Sequence, residues 1–153
     1  MNGNSARKAA ASSWASSPAT RRTMQSNKGR DTKPELALRR AVHALGLRYR
    51  VSCRPLPTVR RTGDLVFTRA HVVVFLDGCF WHGCPQHHTA AKTNASYWAS
   101  KVERNRERDR ETDLLLKEAG WAVLRIWEHE DPTAAAARVR DLYRSRLHEA
   151  EFE

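Results

Sequence analysis

Acidic residues are missing from the first thirty positions, which hold six Lys or Arg and neither Asp nor Glu. A long apolar run is missing as well. Nothing approaches the roughly 20 residues a membrane span needs, and the N-terminus has no apolar signal core. A membrane partner is therefore not expected, and the expected compartment is the bacterial cytoplasm. Cysteine is scarce: three residues cannot form a disulfide framework, and two of them, five positions apart among histidines, have the character of metal ligands. No internal repeat divides the 153 residues, so one domain with a real core is expected. What the chain has in excess is positive charge, +10 formally. That balance favours a polyanion, nucleic acid first, and hence nucleoid association; the plain alternative is a merely basic, soluble protein.

Residues 1–20, rich in Ser and Ala and without periodicity, read as a disordered tail, and 21–31 as a basic arm that orders on nucleic acid. The folded domain is expected to run from there to about residue 150. Thr32-Lys33-Pro34-Glu35 fits a capping box, and Leu38, Ala41, Val42 and Leu45 then repeat at helical spacing up to Gly46. Tyr49 to Cys53 reads as a short strand. Asp64–Phe67 and His71–Leu76 form a hairpin about a turn at 68–70, the second strand buried on both faces. A long, highly charged helix follows from about Asn94 to Ala119, then a strand at 121–128 and a helix capped by Asp131-Pro132. The order is α-β-β-β-α-β-α, an α/β chain. A helical crossover makes the strand at 121–128 parallel to that at 71–77, so both end on one side of the sheet. Asp64, Asp77, the loop after it and Glu128-His129 should converge there.

That loop is the richest stretch of the chain. Asp77 to His88 holds a carboxylate, two thiols, three imidazoles and the adjacent aromatics Phe80 and Trp81. Cys79, Cys84, His129 and either His87 or His88 make a tetrahedral structural Zn²⁺ set, with His87 preferred; the competing reading is two ordinary buried cysteines beside surface histidines. Asp64 and Asp77, at adjacent strand ends, suit a hard divalent ion, Mg²⁺ first, unless they only solvate turns, and Gly63-Asp64 is turn-like. His82, left over from the zinc set, could take a proton from an attacking water. Glu35 either completes the capping box or turns inward to a metal-bound water. Phe80, Trp81, Tyr97 and Trp98 are candidates to stack on or wedge between bases, against the ordinary alternative of core packing. Lys101, Arg104 and Arg108 follow Trp98 along one side of the long helix and could line a phosphate backbone; otherwise that face is solvated and laced by Glu103/Arg106 and Glu107/Arg110 pairs. Cys53 and His71 read as structural.

Taken in order, Arg22-Thr23-Met24-Gln25-Ser26, Asp31-Thr32 with Glu35, Gly63-Asp64, Asp77-Gly78-Cys79-Phe80-Trp81-His82, Tyr97-Trp98 leading to Asn105-Arg106-Glu107-Arg108-Asp109, and Gly120-Trp121 through Trp127-Glu128 resemble the very short patch repair (Vsr-type) DNA mismatch endonucleases. The resemblance runs from about Arg21 to Glu130. It implies a restriction-endonuclease-like, three-layer fold with a structural zinc. The implied activity is nicking of DNA 5′ of the thymine in a T·G mismatch, the product of 5-methylcytosine deamination. It further implies Asp64 as central Mg²⁺ ligand, His82 as general base and Glu35 as a helper on the water network. Phe80, Trp81 and Trp98 become aromatics that enter the duplex. The arm bearing Met24, together with Lys101, Asn105 and Arg108, becomes DNA-contacting. The expected partner is a mismatched duplex bound by a monomer, with repair-pathway proteins as further partners. Two departures stand out. Leu76-Asp77 replaces a Thr-His pair of a familiar member, making Asp77 a metal ligand as in ordinary restriction enzymes. Cys84 and His87 stand where a His-x-Cys pair occurs, and His129 replaces a Cys. The rival functions are a restriction-like nuclease needing no mismatch and a zinc-stabilised DNA-binding module without activity.

Overall fold

The computed structural model describes residues 31–79, 81–86 and 93–153. The tail and arm expected at 1–30, with Met24, and the candidates Phe80, His87 and His88 lie outside the described residues.

Among the described residues seven elements appear in the expected order: α1 (Lys33–Ala44), β1 (Arg50–Cys53), β2 (Gly63–Phe67), β3 (Val72–Asp77), α2 (Ala95–Glu118), β4 (Ala122–Trp127) and α3 (Pro132–Glu151). The strands form one sheet in the order β1-β2-β3-β4. β1, β2 and β3 pair antiparallel, whereas β3 and β4 run parallel, with Val72 opposite Ala122 and Asp77 opposite Trp127. The parallel pair follows from the α2 crossover, and it brings both chain exits to one edge.

Helices cover both faces of the sheet. On one, Leu38 and Val42 of α1 and Ala135, Ala136 and Val139 of α3 pack on Leu65, Phe67, Val72, Val74 and Ile126. On the other, Leu116 of α2, with Trp121 and Val59, covers Val66, Val73 and Phe75, and Cys53 packs beside them. Alternate residues of β2 and β3 thus enter opposite cores, which is why the β3 run is apolar without alternation. His71 stays outside β3, at positive φ (51°), its ring 5.0 Å from that of Trp121. No helix among the described residues is long and apolar enough to cross a membrane.

Local signals differ from the sequence reading in three places. Thr32 Oγ1 accepts from the Glu35 amide, as a capping box requires, but Glu35 reaches back to the amide of Asp31 (2.7 Å), one residue beyond the cap. Leu45, counted on the apolar stripe of α1, is the C-cap and is exposed, because the helix has already ended and Gly46 (φ 82°) turns the chain away. Gly63-Asp64 is no turn: Gly63 is buried and opens β2, so Asp64 stands on a strand held between neighbours.

Candidate active site and metal centre

Asp64 is the second residue of β2. Its Oδ2 accepts from the Leu76 amide on β3 (2.7 Å). Burial raises its pKa to about 6; nearby Glu35 and Asp77 push the same way, while the Leu76 N–H and Arg39 oppose. Glu35 is itself buried, its Oε2 held by Arg39 (3.2 Å) as well as by Asp31 N–H. A half-buried carboxylate with other acids around it is short of positive charge, and a hard cation supplies it. The site residues therefore fit a divalent ion at Asp64.

Asp77, at the end of β3, lies on the α2 side of the sheet. It forms a group with His82 and Asp109 whose ligand atoms all lie within 4.8 Å of one another; Asp64 belongs to no such group among the described residues. Arg125 of β4 contacts both Asp77 oxygens (3.0 and 3.2 Å), reaches Asp109 Oδ1 (3.6 Å) and grips Asp113, with its guanidinium 4.5 Å from the Phe75 ring centroid. Burial still lifts the pKa of Asp77, against Arg125 and His82. The expected pairing of Asp64 with Asp77 is thus one of proximity, Asp77 opposing the ionisation of Asp64, and Asp77 already has a guanidinium partner.

His82 Nδ1 sits 2.5 Å from Asp109 Oδ2 on α2 and 3.9 Å from Asp77. Burial raises the Asp109 pKa, but the His82 hydrogen bond, Arg125 and Arg61 outweigh it and hold the carboxyl below its ordinary range. An ionised Asp109 accepts from Nδ1–H, which leaves Nε2 as the basic nitrogen of a neutral ring. Asp109 and Arg125 were not singled out as site residues from the sequence. Their signals were weak: Asp109 ended a motif quoted only for its order, and Arg125 breaks the apolar alternation of β4.

The loop after β3 is fastened from two sides. Glu128 Oε1 accepts from the Cys79 amide (3.0 Å), and the Glu128 amide donates to Asp77 O (2.9 Å), extending the β3–β4 ladder. From α2, Asn105 Nδ2 donates to Trp81 O (2.8 Å), and Arg106 donates to His82 O (3.2 Å) and Gly83 O (2.5 Å). Gly83 takes φ 64°, and a Cβ there would lie 2.5 Å from Arg106 Nη2 and 2.8 Å from Val102. The loop therefore has protein contacts to hold its shape besides any metal. Asn105, expected on DNA, is engaged in shaping the loop.

Within it, Cys79 Sγ, Cys84 Sγ and His129 Nδ1 converge, 3.2 Å and 3.6 Å separating the imidazole from the two sulfurs. Zn–S of about 2.3 Å and Zn–N of about 2.05 Å on a tetrahedron set an S···N edge of roughly 3.6 Å. Burial, Cys84 and Glu128 all raise the Cys79 pKa. A dication is what would let two adjacent buried thiols ionise. Donor type and spacing fit zinc.

The aromatics divide. Trp81 is half-buried, with Trp98 edge-on at 5.6 Å; Trp98 is only 7% exposed, and Tyr97 is the exposed member of its pair (40%). For Trp98 the burial matches the alternative of core packing, because the first turn of α2 packs on the loop. Lys101 is half-buried and Arg108 exposed on α2. Glu103 pairs with Arg106 (3.8 Å), but Arg110 turns back to Glu103 (3.2 Å), not to Glu107.

Sequence comparison agrees with this architecture. The profile of the family described as DNA mismatch endonuclease Vsr matches residues 15–90. The type II nicking enzyme V.NaeI of Lentzea aerocolonigenes is 50% identical over 122 residues, 78% of this chain and 74% of the relative. The type II nicking enzyme V.NmeDIP of Neisseria meningitidis serogroup C is 41% identical over 138 residues, 87% and 91% of the two chains. The DNA mismatch endonuclease Vsr of Escherichia coli strain K12 is 37% identical over 103 residues, 65% of this chain and 62% of that one. With a mixed sheet between helices and a buried carboxylate at its edge, the chain belongs to the Vsr family and is an endonuclease.

Proposed function

We propose that this endonuclease nicks one strand of duplex DNA 5′ of the thymine of a T·G mismatch, with Mg²⁺ held by Asp64 and Zn²⁺ held by Cys79, Cys84, His129 and His87. The observation that carries the hydrolytic reading is the under-compensated Asp64 carboxylate at the strand edge that also bears the Asp109–His82 pair. Mg²⁺ at such a carboxylate supplies stabilisation of charge on the scissile phosphate and on the leaving 3′ oxygen. Asp64 orients that centre because its second oxygen is pinned to β3 by the Leu76 amide. His82 takes the proton of the attacking water at Nε2, and Asp109 keeps Nδ1 protonated while this happens. Glu35 bears on the same centre through its charge. Trp81 and the neighbouring Phe80 present apolar surface to bases near the nick, with Trp98 buttressing Trp81 from behind. Lys101, Arg108 and the arm around Met24 meet phosphates, as the net charge of +10 favours. The protein works as a monomer in the bacterial cytoplasm.

The second reading is nicking that needs no mismatch, favoured by the type II nicking enzymes at 50% and 41% identity, above the 37% of the mismatch endonuclease. Strand-labelled T·G and fully matched duplexes of the same randomised flanks, incubated with the protein and Mg²⁺, separate the two. We expect nicks on the thymine strand of the mismatched pool alone. Equal cutting of the matched pool assigns the enzyme to mismatch-independent nicking, and cutting of neither pool with Mg²⁺ or Mn²⁺ leaves only DNA binding.

Zinc is checked apart from activity. Metal analysis should find one Zn²⁺ per chain, retained in His88→Ala and lost in His87→Ala and Cys79→Ser, with a lower Tm in both losers. Full zinc in Cys79→Ser would remove the loop site.

A further inference from the structure

Asp77, His82 and Asp109 gather two carboxylates and an imidazole within 4.8 Å, a density of donors that a divalent ion would take. A cation of the protein's own already stands there. Arg125 Nη1 lies 3.0 and 3.2 Å from the two Asp77 oxygens and 3.6 Å from Asp109 Oδ1. Its Nε and Nη2 are fixed on Asp113, at 3.0 and 2.7 Å, so the fork cannot leave Asp77 without breaking a bidentate pair. The Phe75 ring face backs the guanidinium. Arg61 adds a second positive charge 3.7 Å from Asp109. Three carboxylates, Asp77, Asp109 and Asp113, therefore face two guanidiniums.

The spacing of the donors points the same way. Adjacent ligands on an octahedral Mg²⁺, with bonds of about 2.1 Å, lie roughly 3.0 Å apart. His82 Nδ1 and Asp109 Oδ2 stand at 2.5 Å, closer than two ligands of one such ion and in direct hydrogen-bonding contact with each other. Asp64 is placed differently. Among the described residues it belongs to no such donor group, and one of its oxygens rests on a backbone amide.

We propose that Arg125 is a built-in cation filling what would otherwise be a second metal position, so that the enzyme binds a single divalent ion, at Asp64. Asp77 is then a holder of Arg125 and no metal ligand, and Arg125 is a positioning residue that holds Asp77 and Asp109 in place around His82. The inference rests on the reading of Asp64 as the metal-bearing carboxylate.

Crystals of the full, zinc-loaded chain soaked in Mn²⁺ and measured at the manganese edge test it by counting ions. The wild type should show one Mn²⁺ peak, at Asp64, and none on Asp77 or Asp109. Arg125→Met should gain a second peak between Asp77 and Asp109, whereas Arg125→Lys, which keeps the charge, should not. Manganese on Asp77 in the wild type overturns the proposal, as does an Arg125→Met crystal without the second peak. Should Arg125→Met fail to fold, Arg125→Gln and the wild-type map carry the same decision. A wild type with no ion at Asp64 would instead sink the reading of the catalytic carboxylate, a result distinguishable from either outcome at Asp77.

Discussion

Asp64→Asn is expected to lose nicking by about 10³-fold or more, since a metal supplies several kcal/mol of transition-state stabilisation and each ~1.4 kcal/mol is tenfold. The same change is expected to stabilise the metal-free protein at pH 8. Burial lifts the Asp64 pKa from its ordinary 3.8 to about 6. In the window between those values the folded state binds more protons than the unfolded state, so stability falls as pH rises through it. Above it the whole cost of ionising a buried carboxylate is present, about 2–3 kcal/mol at ~1.4 kcal/mol per pH unit. Asn cannot ionise, and its side-chain oxygen still accepts from Leu76 N–H. Urea melts in EDTA-free, Mg²⁺-free buffer should therefore show the variant ahead at pH 8 and level with the wild type below about pH 4. Adding Mg²⁺ should narrow the gap by stabilising the wild type alone. Retained nicking, or a variant weaker than wild type at pH 8, would take Asp64 out of the metal site. The expected trade of stability for activity is what a functional carboxylate in a desolvated edge position entails.

The topology was legible because it rests on local signals that tertiary packing does not override. The apolar run of β3 needs cover on both faces, and the crossover forces β4 parallel to it. The convergence of Cys79, Cys84 and His129 follows from those two facts and was foreseeable. The electrostatics around them were not. α2 reads as a solvated helix because few of its residues are buried, Trp98, Val102, Thr112 and Leu116, and its charges suggest pairs along its own surface. Asp109 and Asp113, one turn apart, are instead satisfied across the interface by Arg125, a pairing set by β4 register that no spacing within the helix encodes. The same holds for Asn105, which looks like a DNA contact, and for Arg106, which looks like a surface partner of Glu103: both hold carbonyls of the loop they face. The choice between stacking and packing for Trp98 was not legible because its partner Trp81 lies seventeen positions upstream, beyond any helical period.

Asp109→Asn should be as damaging to catalysis as removing His82, although it touches neither substrate nor metal in the proposed scheme. With Asp109 ionised, its oxygen accepts from Nδ1–H at 2.5 Å, and the basic lone pair of the neutral ring sits on Nε2. An Asn in that place can present its NH₂ to Nδ1, which favours the tautomer protonated on Nε2 and removes the base from the water. General-base catalysis contributes typically about 10²–10⁴-fold, and a loss in that range is expected for Asp109→Asn and for His82→Ala alike. Because both act on one proton transfer, the double variant should be little worse than either single one. Binding of T·G duplex, measured by anisotropy in Ca²⁺, should change little, so the loss should appear in kcat. Additive losses in the double variant, or an Asp109→Asn enzyme with normal kcat, would show that His82 works without its carboxylate. The stability readout should be modest: Arg125 retains Asp77 and Asp113, and Arg61 loses only a longer 3.7 Å contact. A large fall in activity with little change in Tm is thus the signature that distinguishes orientation of a base from simple loss of a buried ion pair.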